Sequence, residues 1–247
     1  TFKMDLGIQG KKAIVCASSK GLGKACALSL VQEGVDVIIN SRNEEDLKKV
    51  KTELSALKSG KVDYVVADLN SEEGRENLVY RCPEADILIN NNGGPPPGNF
   101  LEMEKEQWLE ALESNLLSAI MLMKAFLPGM QERKFGRIIN ITSAMVKSPH
   151  PLMGLSTSAR AGLTAFSKGI SKQVAVDNVT INNLLPERFD TDRQIFMTNN
   201  IPSASLEVCR TVFSYSVRLL FYHIADITNV SVRFSKLFKQ VAYNTRI

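Results

Sequence analysis

At 247 residues, with 44% hydrophobic and 23% charged side chains, the chain has the composition of one folded domain large enough to bury a real core. No apolar run approaches the roughly 20 residues of a membrane span. The opening residues do not read as a charged–apolar–small leader, so none is expected. Cys16, Cys26, Cys82 and Cys209 lack CxxC or metal-type spacing, so reduced core thiols, no metal site and a cytoplasmic location are expected. The net charge of +4 comes from residues 201–247, which hold six basic side chains against Glu207 and Asp226. The rest of the chain is neutral and offers no nucleic-acid surface.

In chain order, Lys12–Cys16 is the first apolar run and reads as a strand. A glycine-bearing turn follows, and then a helix from Gly21. That order builds an anion site, because the unpaired N–H groups and positive dipole end of a helix N-terminus face whatever lies above the turn. Gly21 and Gly23 allow a pyrophosphate and the neighbouring strand to approach where a Cβ would collide. Further strands are predicted at Val35–Asn40, Val62–Asp68, Ala85–Asn90, Arg137–Thr142 and Val179–Leu185, all short, nearly continuous apolar runs suited to burial on both faces. Between them, Glu44–Ser59 predicts a helix burying Leu47, Val50, Leu54 and Leu57, with Asn43 as N-cap. Ser158–Asp177 predicts another that buries Ala159, Leu163, Phe166, Ile170 and Val174. Strand–helix alternation with short links predicts an α/β fold with a doubly wound parallel sheet. The loop Gly93–Gly98 (GGPPPG) follows a strand's C-terminal end, the edge where such sheets bind ligands.

Six short features recur in order: CASSKGLG at 16–23, Asp68-Leu69, Asn90-Asn91-Asn92-Gly93, Asn115 in the helix after Trp108, Ser143 in NITSAM, and Pro186 with Thr191 in LLPERFDTD. Together they resemble the short-chain dehydrogenase/reductase family over residues 8–196. The resemblance implies a Rossmann-type, three-layer α/β/α single domain, spanning residues 1–200. It further implies that Ser19, Lys20, Gly21, Leu22 and Gly23 hold the cofactor phosphates, and that Asp68 and Leu69 hold its adenine. Asn91, Asn92 and Gly93, matching the family's NNAG segment, would also bind the cofactor, and Pro186 and Thr191 would clasp the nicotinamide carboxamide. Asn115 is then the structural asparagine of the active site, and Ser143 the carbonyl-binding serine.

An enzyme using NAD places a carboxylate at the second strand's end to bind the ribose diol. Here that place holds Asn40-Ser41-Arg42, and Lys20 precedes Gly21. Two cations and no anion favour a 2′-phosphate, since arginine forks onto phosphate; Ser41 and Arg42 join the expected cofactor site, and the cofactor is expected to be NADP(H). The competing reading makes Lys20 and Arg42 solvated surface charges.

One departure bears on the chemistry. The family's proton-donor tyrosine lies thirteen residues after the serine and its lysine four later; counting from Ser143 gives Ser156 and Arg160. An aliphatic hydroxyl is a far weaker acid than a phenol. Arg160 can donate to the nicotinamide ribose but cannot titrate as lysine does. His150 could supply an acid near neutrality, although its position between Pro149 and Pro151 reads as a loop. Ala17 replaces the family's first glycine, a change expected to be mild, and Glu187 brings a carboxylate near the cofactor unless Arg188 neutralises it.

All fifteen glycines fall at or before Gly169, whereas seven of seventeen aromatics lie after residue 212. Residues 201–247 therefore form an atypical C-terminal segment, for which a shifted reading frame and genuine divergence both stay open. The expected function is an NADP(H)-dependent oxidoreductase interconverting a carbonyl and an alcohol, with catalytic residues Asn115, Ser143, Ser156 and Arg160. It resembles the 3-oxoacyl-carrier-protein reductase branch. The alternative is a protein that binds NADP(H) without turnover. Expected partners are a small carbonyl or alcohol, in one form carrier-linked, and further copies of the chain in a dimer or tetramer, with neither membrane nor nucleic acid.

Overall fold

A short strand of β-branched residues is apolar on both faces, so it needs helices above and below. The computed structural model, which describes residues 6–186 together with Ile195 and Met197, meets that need in three layers. Strands β1 (Lys12–Val15), β2 (Asp36–Ser41), β3 (Val62–Val66), β4 (Ile87–Asn90), β5 (Gly136–Ile141) and β6 (Val179–Leu184) pair in parallel in the order β3-β2-β1-β4-β5-β6. The order reverses between β1 and β4, which opens a crevice at the strands' C-terminal ends.

Side-chain alternation sorts the core into two faces. Val15, Ile89 and Ile139 lie in one row and pack with helices α1 (Gly21–Gln32) and α2 (Glu44–Ser55). Ile14, Leu88, Ile138 and Ile181 form the neighbouring row and face α3 (Glu72–Arg81), α5 (Ser118–Glu132) and α6 (Gly154–Val174). Helix α4 (Lys105–Leu112) precedes α5 and joins it through a π-helical turn, Glu113–Leu117. Beyond the apolar rows, at the C-terminal edge, the same register aligns Asn90, Asn140 and Asn183. Asn90 Nδ2 donates to Asn140 Oδ1 at 2.8 Å, and Asn140 Nδ2 donates to Asn183 Oδ1 at 3.2 Å. The sheet thus changes from dry core to polar edge within one residue.

The predicted strands are present with ends shifted by one or two residues; β3 stops at Val66, so Asp68 lies in the following loop. Asn43 caps α2 by accepting from Asp46 N at 3.0 Å. Two predicted core positions are exposed instead. Helix α2 ends at Ser55, which leaves Leu57 beyond its last turn and 41% exposed. On α6, Ser167 takes the inward place expected of Phe166: it is fully buried, donates to Leu163 O at 2.6 Å and accepts from Asn140 Nδ2 at 2.9 Å. The buried amide needs a polar partner, and the helix turns that face inward.

Ala17 also differs from expectation. It adopts a left-handed backbone with φ 44°, a conformation that costs an L-residue roughly 1–2 kcal/mol, so its replacement of glycine is not mild. Ala17→Gly is expected to raise the unfolding free energy by about 1 kcal/mol, measured by urea denaturation. A midpoint that stays put or falls contradicts this reading of the turn.

Candidate functional site

The β1–α1 turn is built from a buried polar bracket and two side-chain-free positions. Ser18 is fully buried. Its Oγ donates to Val15 O at 2.7 Å and accepts from Asn40 N at 2.9 Å, while Ser18 N donates to Asn40 O at 2.8 Å. Asn40 in turn donates through Nδ2 to Val65 O and Ala67 O at 3.1 and 3.2 Å, so one serine and one asparagine tie together the ends of β1, β2 and β3. Gly21 has φ 57°. A Cβ on Gly23 would run into the Ala17 carbonyl oxygen, which is how closely α1 starts against the turn. Lys20 occupies the N-cap in extended conformation without a side-chain cap, and no acidic residue lies in the first turn of α1. The result is an open cradle of backbone donors at the positive end of a helix, the chemistry a pyrophosphate requires. Ser19 and Leu22 flank it half-buried.

At the end of β2, Ser41 is engaged with its own turn: its Oγ donates to Asn43 O at 3.1 Å and accepts from Asn43 N at 3.2 Å. Arg42 is exposed, with Nη1 3.9 Å from Asp68 Oδ2, and Asp68 Oδ1 accepts from Asn70 N at 3.0 Å. The structure therefore brings Arg42 and Asp68 together on one rim, with Leu69 buried behind them. An exposed pair at that distance contributes at most about 1 kcal/mol, so the arginine can be redirected to a ligand at small cost.

Asn91 Nδ2 donates to Ala17 O at 3.2 Å, linking the end of β4 to the β1–α1 turn. Asn92 Nδ2 donates to Ser114 O at 2.9 Å, and its Oδ1 accepts from Gly93 N at 2.9 Å. Asn115 lies in the π-helical turn, where the extra residue redirects side chains relative to an α-helix, and is 5% exposed. It donates through Nδ2 to Ser114 Oγ at 2.7 Å. Among the described residues, Oδ1 of Asn115 and Oδ1 of Asn90 accept no hydrogen bond. Both residues line a cavity shared with Cys16, Asn91 and Arg160, which leaves about 20 Å³ open to the centre of a water molecule; that is room for a single water with polar partners waiting. Burial pushes the Cys16 thiol up to about 12, with the Asn91 backbone N–H acting slightly the other way. It is thus a protonated packing group at neutral pH, not a nucleophile.

Ser143 follows β5 and caps a single 3₁₀ turn, Ala144–Val146, by accepting from Met145 N at 3.2 Å. As an acceptor there it keeps its own O–H to donate. Ser156 and Arg160 lie one turn apart on α6 and are 4% and 8% exposed. Arg160 Nε donates to Ser156 Oγ at 3.2 Å. Its Nη1 donates to Ile141 O at 2.7 Å and Thr142 O at 3.0 Å, and Nη2 reaches Asn92 O at 3.4 Å. The guanidinium therefore fastens the end of β5 to the loop after β4. His150 is a cap: its Nδ1 accepts from Leu152 N at 3.2 Å, and the Leu152 carbonyl receives Gly98 N at 2.9 Å, which draws the GGPPPG loop over this side. Pro186 O accepts from Ala144 N at 2.9 Å. Thr191, Glu187, Arg188 and the segment 201–247 lie outside the described residues.

Sequence reasoning missed Ser18, Asn40 and Asn140 as builders of this site. The signal was there, since asparagine at the end of an otherwise β-branched run is costly unless its amide is used. Among the described residues, no group of His, Cys, Asp and Glu could hold a metal ion, and no helix is long and apolar enough to cross a membrane.

Comparison with known proteins agrees with this geometry. The family model for short chain dehydrogenase matches residues 11–201. An oxidoreductase of Bacillus subtilis, YvaG, is 35% identical over 207 residues, covering 83% of this chain and 78% of the relative. A 3-oxoacyl-(acyl-carrier-protein) reductase of Haemophilus influenzae, FabG, is 31% identical over 207 residues, covering 81% and 86%. Among solved structures, L-sorbose reductase of Gluconobacter frateurii, crystallised with NADPH and L-sorbose, superposes with a TM-score of 0.75 at 28% identity over 81% of this chain and 80% of that one. The glycine-bearing cradle, the reversed strand order and these matches together place the chain in the short-chain dehydrogenase family of oxidoreductases.

Proposed function

We propose that the chain is an NADP(H)-dependent oxidoreductase that interconverts a small carbonyl and its alcohol in the cytoplasm, with a 3-oxoacyl thioester as one substrate class. The observation that carries the reading is the cradle at α1, where a Cβ on Gly23 would collide with Ala17 O and no side chain caps the first turn. A pyrophosphate fits this donor set, and Arg42, within reach of Asp68 on the same rim, supplies the cation for a 2′-phosphate. Bound there, the nicotinamide supplies or accepts a hydride.

The chain's own residues then do the rest. Ser143 donates its hydroxyl proton toward the substrate oxygen and polarises the carbonyl. Arg160 keeps its charge at working pH and, through Ser156 Oγ and the carbonyls of Ile141 and Thr142, holds a positive field beside that oxygen. Asn115 offers its Oδ1 to a water in the adjoining cavity, and water supplies the proton that Ser156 is too weak an acid to give. Leu109, Leu117 and Met121 are exposed on α4, the π-turn and α5, and further copies of the chain, in a dimer or tetramer, are part of the proposal.

A second reading, binding without turnover, is favoured by the burial of Ser156 and the commitment of its Oγ to Arg160. NADPH consumption over a panel of ketones and oxoacyl thioesters separates the two. Turnover on any member establishes the oxidoreductase, and saturable NADPH binding with none supports the second reading. Given turnover, Ser143→Ala is expected to lower kcat about 10²-fold or more with NADPH affinity unchanged; equal kcat removes Ser143 from the chemistry. Arg42→Ala is expected to weaken NADPH about tenfold, the loss of one charged hydrogen bond, while leaving NADH affinity alone. Equal losses for both coenzymes contradict the 2′-phosphate assignment.

A further inference from the structure

The two ends of the proposed cofactor site are joined by a side chain that touches neither reacting atoms nor cradle. Arg75, on α3, donates through Nη1 alone to Leu69 O at 2.8 Å, Asn70 O at 3.1 Å and Glu113 Oε1 at 2.8 Å. The Arg75 side chain is 15% exposed and that of Glu113 34%, so the pair is shielded well beyond an ordinary surface bridge. Leu69 and Asn70 continue the Asp68 loop at the adenine end. Glu113 is the first residue of the π-helical turn that carries Asn115. A second link runs parallel to the first: Asn92 Nδ2 reaches Asn70 Oδ1 at 3.3 Å and Ser114 O at 2.9 Å.

The π-helical turn makes this join consequential. Such a turn holds one residue more than an α-helical turn and competes with it. Relaxation to regular α-helix would rotate Asn115 away from the cavity it now faces. Glu113 is held at the start of that turn by the same nitrogen that holds the adenine loop. We propose that Arg75 is a positioning residue that couples occupancy of the adenine end to the π-helical register of Glu113–Leu117, and hence to the placement of Asn115. The inference rests on the NADP(H) reading above, because it needs a ligand that grips the Asp68–Asn70 loop.

The test uses the full chain and adenosine 2′,5′-bisphosphate, which has the adenine and the 2′-phosphate but no nicotinamide to touch Asn115. Amide hydrogen exchange is followed in residues 113–117, free and bound. In the unsubstituted protein the probe is expected to slow exchange there about fivefold or more, the usual size of a coupling between two sites. In Arg75→Gln, saturated with the probe, the slowing is expected to fall below about twofold. Arg75→Lys is expected to restore most of it, since an ammonium can donate to the same three oxygens. A residue that merely stabilises the fold would speed exchange equally in both states and leave the bound-to-free ratio unchanged, and that result overturns the proposal. Bound probe without slowing at 113–117 in the unsubstituted protein also overturns it, and this arm needs no variant to fold. Failure of both the bisphosphate and NADPH to bind the unsubstituted protein removes the cofactor reading itself, and the coupling with it.

Discussion

The first turn of α1 lies so close to the turn before it that its approach governs the rest of the molecule. Gly23 has no room for a Cβ against the Ala17 carbonyl, and Gly21 turns through a left-handed backbone. The helix can therefore start directly above the crevice between β1 and β4 with its donors exposed. Ser18 ties the turn to the end of β1 through Val15 and to β2 through Asn40, and Asn91 holds it against the end of β4. The exposed donors at the start of α1 are thus a consequence of strand ends being tied together, not a loop added to a finished sheet.

The same economy appears at the other strand ends. Asn40, Asn90 and Asn140 are buried at 1%, 4% and 0% exposure, where an unmatched amide would cost about 1–3 kcal/mol. Most of their groups are matched within the sheet edge in two sets, Asn40 with Val65 and Ala67 on one side, and Asn90 and Asn140 with Ser167 and Asn183 on the other. Of the four buried side-chain oxygens without a partner among the described residues, Thr157 and Thr180 Oγ1 lie elsewhere, whereas Asn90 and Asn115, which carry the other two, line the small cavity beside Arg160. Polar material inside the fold is concentrated where a ligand would lie, in accord with the cost of burying it anywhere else.

The strands were legible because parallel strands buried on both faces favour short, nearly continuous apolar and β-branched runs. The tight turn into α1 was legible from Gly21 and Gly23, whose absence of side chains has a direct steric meaning. The destinations of long or paired side chains were not. Nothing in the spacing says that Arg160 turns back onto the carbonyls of Ile141 and Thr142, because that depends on where β5 ends relative to α6. The π-helical turn was also hidden: an added residue changes direction in space while leaving the local composition helical. Phe166 failed as a core position because periodicity alone cannot weigh a neighbouring buried amide, which here claimed Ser167.

In the proposed function, Ser156 and Arg160 make the chemistry a matter of fixed charge and water, on a scaffold whose β1–α1 turn suits a pyrophosphate. Everything downstream requires that turn to be occupied by a dinucleotide. The most direct measurement is a calorimetric titration of the full chain with NADPH. One saturable site per chain, abolished when Gly23 is replaced by valine in protein that still melts cooperatively, is the predicted result. Correctly folded protein that gives no heat with either NADPH or NADH would contradict it.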